Sequence, residues 1–117
     1  FGVPQLRPRF ILVALKKRYA DNFHWPAPDG QPLTVAEAIS DLMGANGWRG
    51  VDRWKLTANG IAPTLVGGSK KHGGPDLGPT RARLAWRALG VEAKSLADSA
   101  PDRDFPHDGF PRLTVRM

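Results

Sequence analysis

The chain has 117 residues, with 17 Lys and Arg against 11 Asp and Glu, which leaves a net charge of +6 and a pI near 10.3. This length has room for one domain with a modest core. The positive charge is typical of nucleic-acid-binding proteins and also of merely basic soluble domains. The sequence has no cysteine, which excludes disulfides, thiolate metal sites and a cysteine nucleophile within the chain.

The first motif of chemical interest is the polar loop Gln5-Leu6-Arg7-Pro8-Arg9. Because Arg7 and Arg9 are two residues apart, an extended backbone would point both side chains the same way. Two neighbouring guanidinium groups repel each other unless an anion lies between them, and phosphate suits such a pair. Ordinary surface ion pairs are the alternative. The apolar run 10–15 follows; it is too short to cross a bilayer, and its β-branched residues predict a strand buried on both faces.

With this run behind it, the segment Phe1-Gly2-Val3-Pro4-Gln5-Leu6-Arg7-Pro8-Arg9 resembles motif VIII of the DNA cytosine-5 methyltransferases, whose Gln-x-Arg-x-Arg signature precedes a strand of the catalytic domain. The resemblance implies that Arg9 helps to hold the target cytosine and its phosphate. It also implies that Arg7 supports this loop or contacts the DNA backbone, and that Gln5 braces it. We therefore expect Arg9 and Arg7 to be catalytic residues and Gln5 to support them.

A helix is predicted over about 34–43. Thr34 is its N-cap, and Glu37 reaches back to complete a capping box, while Gly44 ends the helix. Apolar residues at positions i, i+3, i+4 and i+7 form its expected buried face, namely Val35, Ala38, Ile39 and Leu42.

Two tryptophans follow this helix, and a short strand is predicted around residues 51–56. Trp48 and Trp54 could stack on nucleic-acid bases. In a chain with so small a core, tryptophan more often fills the core, and we expect that role here.

The most basic stretch is 61–87, where five Lys and Arg face one Asp and leave a net charge of +4. A strand predicted at 62–66 enters a loop of glycine, lysine and histidine, and glycine lets a backbone approach a ligand closely. The Thr64-Leu65 pair resembles one found near the DNA-contacting loops of the target recognition domain, the variable region between motifs VIII and IX. The DNA-binding residues that we expect are Thr64, Ser69, Lys70, Lys71, His72, Arg81 and Arg83.

A second helix is predicted over about 81–89, with Thr80 as its N-cap and Gly90 as its stop. Its expected buried face consists of Ala82, Ala85, Trp86 and Leu89. Arg81 and Arg83 lie in the first turn, where the helix dipole favours anions rather than cations. A phosphate or base docked at that end would account for them; tolerated surface arginines are the alternative.

The last part of the chain combines an acidic loop with a second specific motif. Residues 91–110 contain four Asp and His107, but their spacing fits no calcium loop, and we expect no metal site. The end, Leu113-Thr114-Val115-Arg116-Met117, resembles the start of motif IX, with Met117 where a glutamate is usual. Since the chain also begins without methionine, we expect it to be a piece of a longer protein.

The expected fold class is α+β: a small, loop-rich target recognition domain with short strands and two short helices, about 34–43 and 81–89. One strand, about 10–15, precedes it and belongs to a Rossmann-like catalytic domain. The expected division is 1–18 for the motif VIII loop and strand, 19–110 for the target recognition domain, and 111–117 for the start of motif IX.

The resemblance implies a parent enzyme of the bacterial cytoplasm that binds double-stranded DNA and uses S-adenosylmethionine. In this family the target cytosine is flipped out of the duplex, a cysteine thiolate adds to the ring, and carbon 5 receives the methyl group. The thiolate lies outside this chain, so we expect the chain alone to be inactive, and its run 10–15 to be free to pair with another chain. A stand-alone basic nucleic-acid-binding domain without enzymatic activity is the alternative, and a domain that binds an acidic protein is a third.

Overall fold

The computed structural model describes residues 3–28, 30–65 and 76–117. In these ranges the elements are β1 (Gln5–Leu6), α1 (Lys17–Ala20), α2 (Val35–Met43), α3 (Val51–Thr57), β2 (Ala62–Pro63) and α4 (Thr80–Ala88). β1 and β2 form a two-stranded parallel sheet, with Gln5 opposite Ala62 and Leu6 opposite Pro63. Short helices, very short strands and long connections confirm the predicted loop-rich α+β class.

The first predicted helix is confirmed as α2, together with its capping box. The Thr34 amide donates to Glu37 Oε2 at 2.7 Å, and the Glu37 amide donates to Thr34 Oγ1 at 3.2 Å. Gly44 is the C-cap. Val35 is buried as predicted, whereas the deepest side chain is that of Met43, outside the predicted face.

The connection between α3 and β2 satisfies the free amides at the start of α2. The Val35 amide donates to the Gly60 carbonyl at 2.9 Å, and the Ala36 amide donates to the Ala58 carbonyl at 3.0 Å. The first amides of a helix have no partner within the helix, so this connection replaces water at that end. As a result, α2 is fixed against the segment that leads into β2.

The strand predicted around 51–56 is wrong, because these residues form helix α3. Trp54 and Ala58 are four residues apart and both are buried, which is the spacing of one helix face. On the exposed side, Lys55 pairs with Asp52 at 3.0 Å. The expected core role of the tryptophans is confirmed, since Trp48 and Trp54 are 2% and 4% exposed.

The strand predicted over 10–15 is also wrong for this chain. These residues have no regular structure and all are exposed, with Phe10 94% and Leu12 81% accessible. A strand needs a neighbour for its backbone hydrogen bonds, and the sheet within the described residues ends at Leu6. The apolar run therefore lies in solvent, and α1 begins after it.

Helix α4 confirms the second predicted helix, but its N-cap is Pro79 rather than Thr80. Thr80 is the first helical residue, and its hydroxyl accepts a hydrogen bond from Arg83. Trp86 is buried, and the other three residues of the predicted face, Ala82, Ala85 and Leu89, are half-buried. Gly90, at φ 75°, follows the C-cap, where a left-handed backbone suits glycine.

The C-terminal part closes the core without further helices among the described residues. Val91 is fully buried and Leu113 is 5% exposed, and the Ala97 amide donates to the Leu113 carbonyl at 2.8 Å. The buried cluster thus draws on α2, α3, β2, α4 and this segment. None of the helices described is long and apolar enough to cross a membrane.

Candidate nucleic-acid interface

The β1–β2 pair brings two distant sequence motifs together. The Ala62 amide donates to the Pro4 carbonyl at 2.9 Å, and the Thr64 hydroxyl donates to the Leu6 carbonyl at 2.6 Å. Arg7 follows Leu6 directly, and Leu65 follows Thr64 and precedes the segment 66–75, here called the basic loop. The arginine loop, residues 5–9, and the chain that enters the basic loop therefore start from adjacent points of the sheet.

Arg7 and Arg9 are both exposed, and Gln5 is half-buried in β1. The Arg9 guanidinium donates only to the neighbouring Pro8 carbonyl, at 2.9 Å. Within the described ranges neither arginine forms an ion pair. The described residues therefore do not support the alternative that Arg7 and Arg9 form ordinary surface ion pairs, and both guanidinium groups face solvent.

Four of the expected DNA-binding residues, Ser69, Lys70, Lys71 and His72, lie outside the described residues. Of the described residues that flank this gap, Leu65 and Asp76 line the same cavity, and β2 contacts α4.

The two arginines at the start of α4 differ in their surroundings. Arg81 is exposed. Arg83 is half-buried; its guanidinium lies 3.8 Å from an Asp76 carboxylate oxygen and donates to the Thr80 hydroxyl at 3.3 Å. Of the two, Arg81 is the cation available to an external anion, while Arg83 already has partners inside the chain.

Asp76 is a residue that the sequence interpretation missed. Its side chain is only 11% exposed, and besides facing Arg83 it accepts a hydrogen bond from the Gly78 amide at 3.0 Å. Asp76 thus ties the segment 76–78 to α4. The signal in the sequence was that it is the single acidic residue of the basic stretch 61–87.

The acidic loop contains a backbone turn that is held by Asp102. The Asp102 carboxylate accepts from the amides of Asp104 and Phe105 at 3.0 and 3.1 Å. No group of three or more acidic or histidine side chains in the described parts of the chain is placed to hold a metal ion. Around this turn, residues 102–104 and 106–108 are exposed.

An apolar cavity of about 600 Å³ lies beneath the β1–β2 pair. Its walls include Val3 and Gln5 from the start of the chain and Leu113 from its end, together with Leu65 and Trp86. The buried Trp86 indole N–H has no hydrogen-bond partner among the residues described. Both terminal motifs thus contribute to one surface next to the arginine loop.

Two curated methyltransferases match the chain along its full length. It is 58% identical over 120 residues to Type II methyltransferase M.NaeI of Lentzea aerocolonigenes. It is 52% identical over 125 residues to Type II methyltransferase M.NgoMIV of Neisseria gonorrhoeae. The chain spans only 28% and 37% of the lengths of these relatives. No protein-family model and no solved structure matches it.

These matches support the resemblance to methyltransferases that the motifs at the two ends of the chain carry. They also extend it across the variable middle, where motif matching alone is least specific, because the aligned region covers 100% of this chain in both relatives. The chain is therefore similar, over its whole length, to a part of two type II methyltransferases.

Proposed function

We propose that this chain is the DNA-recognition part of a cytosine-5 methyltransferase from a bacterial restriction–modification system. In this proposal, residues 1–18 contribute the arginine loop of the catalytic domain, residues 19–110 form the target recognition domain, and residues 111–117 lead back towards the catalytic domain. Double-stranded DNA is the partner, and S-adenosylmethionine is the methyl donor of the parent enzyme. The similarity to type II methyltransferases over the whole chain supports this assignment.

The observation that carries the proposal is the parallel pairing of β1 with β2. It sets the start of the motif VIII-like arginine loop beside the start of the most basic loop of the chain. One duplex could then contact both loops, since major-groove reading and phosphate contacts occur within a few base pairs of each other. A methyltransferase needs this arrangement, because the base to be modified lies inside the sequence to be read.

Within this interface we assign different roles to the individual cations. Arg9 holds the flipped cytosine and its phosphate, as the resemblance implies, and Arg7 supports the loop or contacts the DNA backbone. Lys70 and Lys71 grip phosphate or read guanine O6 and N7 in the major groove. Arg81 adds a phosphate contact at the start of α4, where the helix amides also favour an anion.

The residues described do not fit S-adenosylmethionine. The cavity beneath the sheet is mostly apolar, and its acidic residue, Asp76, is already engaged by the Gly78 amide and the Arg83 guanidinium. A cofactor with an adenosyl group and a cationic amino-acid group needs free acceptors and a closely approaching backbone. We therefore assign cofactor binding to other parts of the parent protein and no step of it to this chain.

The test uses the full-length protein and an unmethylated plasmid. Nucleoside analysis by mass spectrometry is expected to find 5-methylcytosine, and bisulfite sequencing to place it at one short recurring sequence. The 117-residue polypeptide alone is expected to yield none. Methylation of adenine, or of the exocyclic amine of cytosine, would overturn the cytosine-5 assignment. Salt-sensitive DNA binding without any methylation would instead support the stand-alone DNA-binding alternative.

A further inference from the structure

The C-terminal segment 114–117 borders two cavities. Thr114, Val115 and Met117 line the apolar cavity of about 600 Å³ beneath the β1–β2 pair, and they also line a second cavity of about 520 Å³ beside the end of α2. Val115, which contributes to both cavities, is 89% exposed. An apolar β-branched side chain thus lies in the open where two cavities adjoin.

The chemistry of the larger cavity fits a polypeptide rather than DNA. Its described walls contain no lysine, arginine or histidine, and phosphate contacts need such cations. The buried Trp86 also lines this cavity, and its indole N–H has no acceptor among the residues described. Since buried polar groups normally have a partner, an occupant that fits brings apolar side chains and a carbonyl oxygen.

The ends of the chain favour an occupant that is covalently tethered. Val3 and Met117, near the first and last residues, both line the larger cavity. Polypeptide that continues from either residue in a longer protein would be held beside the cavity at an effective concentration of roughly millimolar. A second copy of the chain has no such tether, so it would have to reach a similar concentration in solution to compete.

We propose that a segment of the parent methyltransferase outside these 117 residues packs apolar side chains into this cavity over Val115 and offers a carbonyl oxygen to Trp86. This inference rests on the proposed function, in which the chain is a part of a longer protein. The chain spans only 28% and 37% of the two relatives, so a parent of similar length has ample polypeptide to supply the occupant. The cavity is then an internal interface of the parent and not a ligand site.

The experiment places the photoreactive amino acid p-benzoylphenylalanine at position 115 of the full-length protein and maps the cross-links by mass spectrometry. We expect cross-links within one molecule to residues outside this 117-residue segment. The matched control is the same probe at Leu56, which is 81% exposed on α3 and should give few such cross-links. Cross-links that join two molecules, that stay within the segment, or that do not form at all would overturn the proposal.

Two further substitutions test the cover and the hydrogen bond separately. Val115→Asp should speed limited proteolysis of the full-length protein by about tenfold or more, because it buries an unpaired carboxylate, whereas Leu56→Asp should change the rate less than about twofold. Equal rates for the two variants would contradict the cover. Trp86→Phe, which keeps an aromatic ring without the N–H, should lower the cross-link yield from position 115, and an unchanged yield would reject the carbonyl contact.

A methylation assay on the same full-length protein separates this inference from the proposed function. Failure of the wild-type protein to methylate cytosine would reject the proposed function. Cytosine methylation by a protein in which position 115 gives no cross-link outside the segment would reject the interface alone.

Discussion

The Arg83 guanidinium lies 3.8 Å from the Asp76 carboxylate, while Arg81, two residues earlier, is exposed. The two arginines therefore differ in their surroundings, although both lie near the start of α4. Asp76 is largely buried and also accepts from the Gly78 amide, so the Arg83 contact belongs to the anchoring of the basic loop on α4. A partly exposed pair of this kind contributes at most about 1 kcal/mol to folding.

A first prediction follows for DNA binding by the full-length protein. Arg81→Ala should weaken binding to all duplexes about equally and reduce the slope of log K against log salt by about 1, because one phosphate contact is lost. Arg83→Ala should change that slope less. Fluorescence anisotropy at several salt concentrations measures both values. The opposite order, with the larger slope change for Arg83→Ala, would contradict the assignment.

The capping box of α2 gives a prediction about pH. Hydrogen bonds from the Thr34 backbone and side chain lower the pKa of Glu37 below its ordinary value of 4.5. A lowered carboxylate pKa stabilises the folded state above the ordinary value, and this contribution is lost as the pH falls through the lowered one. Denaturant unfolding between pH 3 and pH 6 should therefore show a flatter pH dependence for Glu37→Gln than for the wild type. Equal pH dependence in the two proteins would count against this role.

Substitution of Thr34, the N-cap of this capping box, tests how much the motif stabilises the fold. Thr34→Ala should destabilise the fold by about 1 kcal/mol, the usual cost of a lost N-cap, whereas Thr34→Ser should cost much less. Urea unfolding followed by tryptophan fluorescence suits this comparison, since Trp48 and Trp54 lie in the core. Equal free energies of unfolding for the Thr34→Ala and Thr34→Ser variants would show that the N-cap does not stabilise α2 in solution.

The core itself can be tested at Met43, which is completely buried in α2. Met43→Ala should destabilise the protein by about 2–5 kcal/mol through lost apolar burial and the cavity left behind. Leu56→Ala is the matched control, because Leu56 is 81% exposed on α3, and its effect should stay within about 0.5 kcal/mol. Similar losses at the two positions would be incompatible with the packing described.

The exposed apolar run 10–15 leads to a prediction about association. In the isolated 117-residue polypeptide, these side chains have no cover within the described residues, and an uncovered apolar strand former pairs readily with another chain. Concentration-dependent self-association is expected by light scattering, and Leu12→Lys should reduce it. Lys16→Leu, a substitution just beyond the run, should not reduce self-association. A monomer at all concentrations would contradict this expectation.

Local signals explain what could be predicted from the sequence. The Thr34 and Glu37 capping box spans four residues and forms as the pattern indicates, and the second helix is displaced by only one residue. The segment 51–57 is a helix rather than the predicted strand because Trp54 and Ala58, four residues apart, are buried together, whereas Leu56 is exposed. In that segment, packing against the rest of the chain overrides the local pattern.

The relationships that build the candidate interface are long-range, and no sequence pattern contains them. Leu6 and Thr64 are 58 positions apart, and neither motif indicates that the two residues are in contact. The strand predicted over 10–15 is wrong for a related reason. A strand forms only when its backbone can hydrogen-bond to a neighbouring strand, and no described residue of the chain pairs with this run. Sequence motifs therefore predicted the resemblance to methyltransferases, and the structure supplied the pairing of β1 with β2.

Arg9 provides the clearest single-residue prediction for catalysis. In the full-length enzyme, Arg9→Ala should reduce the methylation rate at saturating DNA by about 100-fold or more, because a positioning contact to the flipped base is lost. Arg53→Ala removes an exposed arginine from α3, whose side chain lines a different cavity, and should leave the rate within about twofold of wild type. Equal rates for the two variants would remove Arg9 from the proposed site.

The central claim is that this chain reads the DNA sequence, and exchange of the recognition segment tests it most directly. Residues 19–110 would be replaced, in the full-length enzyme, by the corresponding segment of a methyltransferase of different specificity, and methylated sites would be mapped by bisulfite sequencing. We predict that the chimaera methylates the sequence of the donor of the segment. Continued methylation of the original sequence would show that recognition resides elsewhere and would contradict the account.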